Sequence, residues 1–230
     1  MKTVSIHQPN FVPWLGYFYK IAQSDVFVIL DDVQYTKNSF INRNKIKTPQ
    51  GPKWLTIPVA QAGKFGQNIN ETHISNREKS LKKVVRTVEQ NYKKAPYFDR
   101  YFEGFSKICQ ESPDIISELN NRLIIWAMDS LSIQTEVRYS SQLGVDHLQR
   151  TERLTAICEH LGADHYFSGF GGMKYQDEEI FRQANIQVKV SDFKHPVYDQ
   201  LWGEFVHGLS ILDLLFNCGP QSLDVLTNQD

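Results

Sequence analysis

The chain has 230 residues, 41% of them hydrophobic and 22% charged, with a formal net charge of −1. That balance is too apolar for a disordered chain and leaves enough length for a full core. It excludes a chain-wide attraction to nucleic acid or to an acidic membrane, so any anion must be bound by a local cluster.

The three cysteines, Cys109, Cys158 and Cys218, are widely spaced and form no zinc or CxxC pattern. They read as reduced thiols of a cytoplasmic protein. The N-terminus lacks the apolar stretch of a signal peptide, and no apolar run reaches the length of a transmembrane span. No linker-like composition interrupts the chain, so 1–230 is expected to form one α/β domain.

In chain order, 4–7 reads as a short strand. Pro9 and Pro13 keep the next residues out of a helix. The stripe Trp14, Phe18 and Ile21 predicts a helix over 14–22. Residues 25–30 contain consecutive apolar side chains, the mark of a strand buried on both faces, and end at Asp31-Asp32. This strand–helix–strand order implies a βαβ unit and a nucleotide-fold topology. Residues 33–60 predict a hairpin or flap, with strands at 40–47 and 53–59 around the turn Thr48-Pro49-Gln50-Gly51-Pro52. Gly63-Lys64-Phe65-Gly66 signals a loop. A helical insertion over 77–131 divides into 77–93, 97–110 and 114–131. A strand at 135–139 follows. The α/β alternation then resumes with a helix at 152–161 stopped by Gly162, a strand at 165–167, a helix at 176–184 and a strand at 186–190. Helices near 209–216 and 220–227 end the chain.

Five constellations can carry chemistry. His7-Gln8-Pro9-Asn10, with Trp14 and Gly16, follows the first strand, where α/β sheets bind ligands and where a histidine can act as acid or base or donate a hydrogen bond to a phosphate. Asp31-Asp32, with Gln34, ends the second strand and can hold Mg²⁺ or a sugar hydroxyl. Strand alternation would turn only one of the two carboxylates toward a ligand. Four cations and three asparagines fall within 37–47. There Arg43, Lys45 and Lys47 would share a strand face fit to clamp a pyrophosphate, and Asn38, Asn42 and Asn44 suit sugar hydroxyls or turns. Ser168-Gly169-Phe170-Gly171-Gly172-Met173-Lys174-Tyr175 can bring backbone amides close to a substrate, although it is neither a Walker A loop nor a GxGxxG. His195-Pro196-Val197-Tyr198 and Leu201-Trp202-Gly203-Glu204-Phe205 offer aromatic planes for sugars or bases. The plain alternatives are loop hydrogen bonding, caps, a charged edge strand, an ordinary loop and core packing. The remaining histidines show no metal-ligand spacing, no metal site is expected, and no nucleophile signature occurs.

Several of these segments together resemble the WbqC-like bacterial protein family over nearly the whole length. They are Ile6-His7-Gln8-Pro9-Asn10 with Pro13-Trp14-Leu15-Gly16-Tyr17, Phe27-Val28-Ile29-Leu30-Asp31-Asp32-Val33-Gln34-Tyr35, and Asn42-Arg43-Asn44-Lys45-Ile46-Lys47. Leu161-Gly162-Ala163-Asp164 with Tyr166-Phe167-Ser168-Gly169, and His195-Pro196-Val197-Tyr198 with Leu201-Trp202-Gly203-Glu204, complete the set. The resemblance implies a role in O-antigen or other surface-polysaccharide biosynthesis, as a glycine (aminoacyl) transferase or a glycosyltransferase. The N-terminal strand–His–loop–helix is also similar to nucleotidyltransferases with a His-x-Gly-His motif. Here Gln8 and Pro9 follow His7 and no second histidine comes next.

The expected fold is a Rossmann-like, mostly parallel sheet with an inserted hairpin and a helical segment. The expected reaction is aminoacyl or acyl amide transfer to the amino sugar of a nucleotide sugar. His7, Asp31 and Asp32 would be catalytic. Gln8, Asn10, Trp14, Gly16, Gln34, Asn42, Arg43, Lys45, Ser168, Gly169, His195 and Trp202 would bind substrate, with ATP and Mg²⁺ as candidate co-reactants if a carboxylate is activated. The alternatives are a nucleotide-sugar glycosyltransferase and a non-catalytic nucleotide-sugar-binding scaffold.

Overall fold

The first strand, β1 (Thr3–His7), buries its three middle residues, and β2 (Val26–Ile29) buries all four. Such strands are stable only when covered on both faces, the situation of a central position in a parallel sheet. The computed structural model describes residues 1–60, 66–172 and 176–228. In it, β1 and β2 pair in parallel across the helix α1 (Leu15–Ala22). β5 (Glu136–Tyr139), β6 (His165–Ser168) and β7 (Gln187–Val190) complete a five-stranded sheet of order β5-β2-β1-β6-β7, in which every pairing is parallel. Its connecting helices include α5 (Arg150–His160) and α6 (Glu178–Gln183). Gly162, at φ 63°, follows α5 in the left-handed conformation that a side chain would disfavour.

By its internal contacts the chain divides into two compact units. The first comprises Met1–Gln8, Tyr19–Val33 and Gln134–Phe193, and contains the parallel sheet. Its core joins Val4, Ile6, Val26 and Val28 to Ile157, Cys158 and Phe181, with Tyr166 stacked on Phe181 at 5.0 Å.

The second unit comprises Pro9–Phe18, Gln34–Ile133 and Lys194–Asp230. It contains a separate antiparallel hairpin, β3 (Arg43–Thr48) with β4 (Gly51–Thr56), and the helices α2 (Arg77–Tyr92), α3 (Phe98–Glu111) and α4 (Ile116–Ser130). The final helices are α7 (Ile211–Cys218) and α8 (Ser222–Thr227). α3 packs against α2, α4 and α7, with Phe216 of α7 between Tyr92 and Phe98. The hairpin turn is tighter than the five residues expected, because Thr48 pairs with Gly51 and only Pro49 and Gln50 lie between them.

Cys109 and Cys158 are buried thiols that burial pushes up to about 12, while Cys218 is partly buried and pushed up to about 11. The expectations for Gly63, Lys64 and Phe65, and for Met173, Lys174 and Tyr175, lie outside the described residues. Among the described residues no helix is long and apolar enough to cross a membrane.

Candidate active site at the carboxyl edge of the sheet

Strand order reverses around β1, with β2 and β5 on one side and β6 and β7 on the other. Open parallel sheets bind ligands outside the carboxyl ends of their strands at such a point. The β1–β2 ladder runs through to His7–Ile29, whereas β1 and β6 are matched only at Thr3–His165 and Val4–Tyr166. The carbonyl of His7 accepts from Leu30 N on the β2 side, so alternation turns the Ile6 carbonyl toward β6. There it meets no ladder partner. It accepts instead from Lys20 Nζ at 2.8 Å.

His7 is therefore the last residue of the central strand. Its Nδ1 lies 3.0 Å from the Gln8 carbonyl, which can only accept, so Nδ1 carries the proton and Nε2 the lone pair. Burial, and then the Lys20 ammonium, lower the imidazole to about 3, against a weaker opposing effect of the Gln8 bond. His7 is thus a neutral acceptor at physiological pH and not a cationic phosphate ligand. Lys20 is itself lowered to about 7 by burial. The direction is consistent: His7 is already neutral when Lys20 titrates, so desolvation alone moves the lysine.

Asp31 and Asp32 lie beyond the last residue of β2, so strand alternation does not separate them as expected. Both turn toward the short 3-10 turn Ser140–Gln142 that follows β5. Asp31 accepts from the Ser141 amide at 3.1 Å and the Ser141 hydroxyl at 2.9 Å. The single proton of Ser140 Oγ goes to Asp32 Oδ1 at 2.5 Å rather than to Asp31 at 3.2 Å. Arg153 Nη2 also stands 2.5 Å from Asp32 Oδ1, with both side chains less than a tenth exposed. Three of the four carboxylate oxygens are engaged by donors, which does not fit an Mg²⁺ ion needing open oxygens. The pair instead ties the end of β2 to the end of β5. Among the described residues no three His, Cys, Asp or Glu side chains converge as a metal site.

Ser168 ends β6, and its Oγ donates to Gln176 Oε1 at 3.0 Å. Among the described residues Gly169 and Gly171 have no atom within 4 Å of where a Cβ would stand. A Cβ on Gly172 would fall 2.5 Å from Ser168 Oγ and 2.6 Å from Gln176 Nε2. The first two glycines leave the edge open, and the third makes room for the Ser168–Gln176 pair.

A scan against family models matches residues 8–225 to the WbqC-like protein family. The chain belongs to the WbqC-like family. It is 40% identical over 228 residues, 98% of each chain, to an uncharacterized protein of Mycobacterium tuberculosis, Rv1507c. No solved structure matches it significantly.

In this WbqC-like chain the other expected site residues belong to the second unit. Arg43 Cζ stands 4.3 Å and Lys45 Nζ 5.3 Å from the Trp54 ring centroid, and Phe40 lies 5.9 Å away. Phe40 and Trp54 are 46% and 44% exposed, so cations and aromatics share one open surface. Lys47 leaves that group: it is 1% exposed and donates to Gln200 Oε1 and to the Glu204 carbonyl. The asparagines make hydrogen bonds to backbone. Asn42 Nδ2 donates to the Ile57 carbonyl and Asn44 Nδ2 to that of Val12, and both residues are buried. Asn10 is buried, whereas Gln34 is exposed and bridges to Asn68. Gly16 is required because a Cβ there would lie 2.2 Å from the Trp14 indole. Trp14 and His207 both lie against His195, at 5.4 and 5.6 Å, and burial lowers the His195 pKa. Trp202 Nε1 donates to the Asn91 carbonyl.

Residues outside the expected site also make buried polar contacts. Asn120 of α4 donates to the carbonyls of Pro9 and Ile41. Asp213 accepts from Tyr92 at 2.8 Å and Tyr198 at 2.9 Å. Ser140, Ser141 and Arg153 are distant in sequence from Asp31 and carry no local signal. Lys20 carries one, as the sole charged residue in a helix whose positions from Leu15 to Ile21 are all buried.

Proposed function

We propose that the chain is a transferase of surface-polysaccharide biosynthesis that forms an amide between an aminoacyl or acyl donor and the amino group of a nucleotide-linked sugar. The observation that carries this reading is a neutral imidazole, His7, at the carboxyl end of the central strand where the order reverses. A neutral imidazole whose Nδ1–H is fixed by backbone presents the nitrogen a nucleophilic amine needs. The amine forms the new C–N bond, the bond from acyl carbon to donor breaks, and the amine proton passes to Nε2 and on to the leaving group. Ser168 and Gly169 would border the acceptor. Asp31 and Asp32 would act through Ser140, Ser141 and Arg153, by fixing the edge. In the second unit, taken by itself, Arg43, Lys45 and Trp54 form a surface proposed to suit a phosphate or a sugar.

The test is product analysis by mass spectrometry after incubation with labelled glycine, ATP and nucleotide-linked amino sugars. Amide product is expected, and ATP consumption that requires the amino acid would identify an activated carboxylate. His7→Ala should lower the rate by about 10²–10⁴-fold at unchanged melting temperature. Wild-type turnover in that variant would remove His7 from the chemistry. Nucleoside diphosphate release without amide would point to glycosyl transfer.

A further inference from the structure

Beyond the last β1–β6 pair, Val4–Tyr166, the two strands are no longer laddered, and the Ile6 carbonyl on that side is held by a buried amine. Lys20 is 4% exposed. Among the described residues its Nζ makes one hydrogen bond and no ion pair. An ammonium group has three protons to donate, and burying it without a counter-charge is costly. The sheet does not need it there, because a backbone amide of β6 would satisfy the same carbonyl in a continued ladder. Continued two pairs further, that register would place Ile6 opposite Ser168, where the open Gly169 and Gly171 follow.

Building on the transferase reading above, we propose that the crevice between the carboxyl ends of β1 and β6 binds a ligand oxyanion, with the Lys20 ammonium as its counter-charge. The shared chemistry is a phosphate of the nucleotide-linked sugar or the carboxylate of an amino-acid donor. The titratable group facing Lys20 is His7 on β1, which is neutral and cannot take that role. The glycines after Ser168 let backbone approach the anion without side-chain obstruction. An anion seated there would also offset the lysine charge felt by His7. The imidazole would then become a stronger base only when substrate is present.

The experiment is NMR titration of the lysine side-chain nitrogens and of the histidines in the full-length protein, alone, with sodium pyrophosphate, and with glycine. The Lys20 and His7 midpoints are both expected to rise with the correct anion. Response to pyrophosphate alone assigns a phosphate, and response to glycine alone assigns a carboxylate. Lys20→Met should weaken binding of the responding anion about tenfold or more, roughly 1.4 kcal/mol. Midpoints that ignore both anions, or equal affinity in Lys20→Met, would overturn the site. The wild-type titration decides the matter even if the variant does not fold. Anion binding with no amide product would leave this site standing and remove only the transferase reading.

Discussion

Lys47 in the hairpin unit and Lys20 in the sheet unit are both buried lysines, 1% and 4% exposed, in contrasting surroundings. Lys47 donates to the Gln200 side chain at 3.0 Å and to the Glu204 carbonyl at 2.5 Å. Nearby, Asp213 accepts from two tyrosine hydroxyls. These groups anchor 194–210, which has no regular secondary structure, onto the hairpin and α7. Among the described residues Lys20 holds one backbone carbonyl and no side chain. A satisfied buried network specifies architecture, whereas an under-satisfied charge at a strand end is waiting for a partner.

The largest effect that tests this contrast is Asp213→Ala. It removes the acceptor of the Tyr92 and Tyr198 hydroxyl protons, so urea unfolding should show a loss of about 2–4 kcal/mol. Lys20→Met should go the other way, unchanged or stabilised by about 1 kcal/mol or more, because a buried charge without a counter-ion is replaced by an apolar side chain of similar length. A large destabilisation in Lys20→Met would make both lysines architectural and end the distinction.

The pH dependence sharpens it. His7 falls from 6.5 to about 3 on folding, so the unfolded chain binds the extra proton between those values and stability rises with pH across that window. Asp213 rises from 3.8 to about 6, so the folded chain binds the extra proton and stability falls as pH climbs through that range. The two slopes oppose each other between about 4 and 6, each at most about 1.4 kcal/mol per pH unit. Relative to wild type, His7→Gln should tilt the stability profile downward with rising pH there, and Asp213→Asn should tilt it upward. Equal profiles in all three proteins would discard both assignments. Lys20, lowered from 10.5 to about 7, adds a further rise in stability between those values, which Lys20→Met should abolish. The smallest effect is expected of Gly172→Ala, about 1 kcal/mol, because the Ser168 and Gln176 side chains it would touch can shift. Weaker ligand binding in that variant would tie the glycine segment to the site.

The parallel sheet was legible because buried strands must be apolar throughout, as Val26–Ile29 is, and because strands and helices alternate at the start of the chain and again from β5 to β7. The hairpin was legible from Pro49, Gly51 and Pro52. The site was only half legible. His7, Ser168 and Gly169 stand at strand ends, which topology marks once the strands are recognised. The backbone bonds of Asn42, Asn44 and Lys47 were not legible, because a polar residue on a strand looks the same in sequence whether it meets ligand or backbone. Asp31 and Asp32 seemed open because their partners, Ser140, Ser141 and Arg153, come from segments far along the chain. Lys20 could have been noticed, as a charge inside an apolar helix, but helical periodicity directs attention to the apolar stripe instead.

The two units are interleaved along the chain, and this bears on how the protein is made. β1 emerges first, yet its partner β6 is translated only after the whole 34–133 segment of the other unit. Until β5 emerges and pairs with β2, β1 and β2 have one another and no further strand, and the β6 side of β1 stays open longer still. Parallel pairing across so long a loop is slow, and an incomplete sheet exposes edges that attract other chains. The sheet can close once β7 is synthesised, while the second unit still awaits Lys194–Asp230. Truncation near residue 193 should therefore leave a sheet-forming fragment with an unfinished companion, whereas truncation before β6 should leave an aggregation-prone stub.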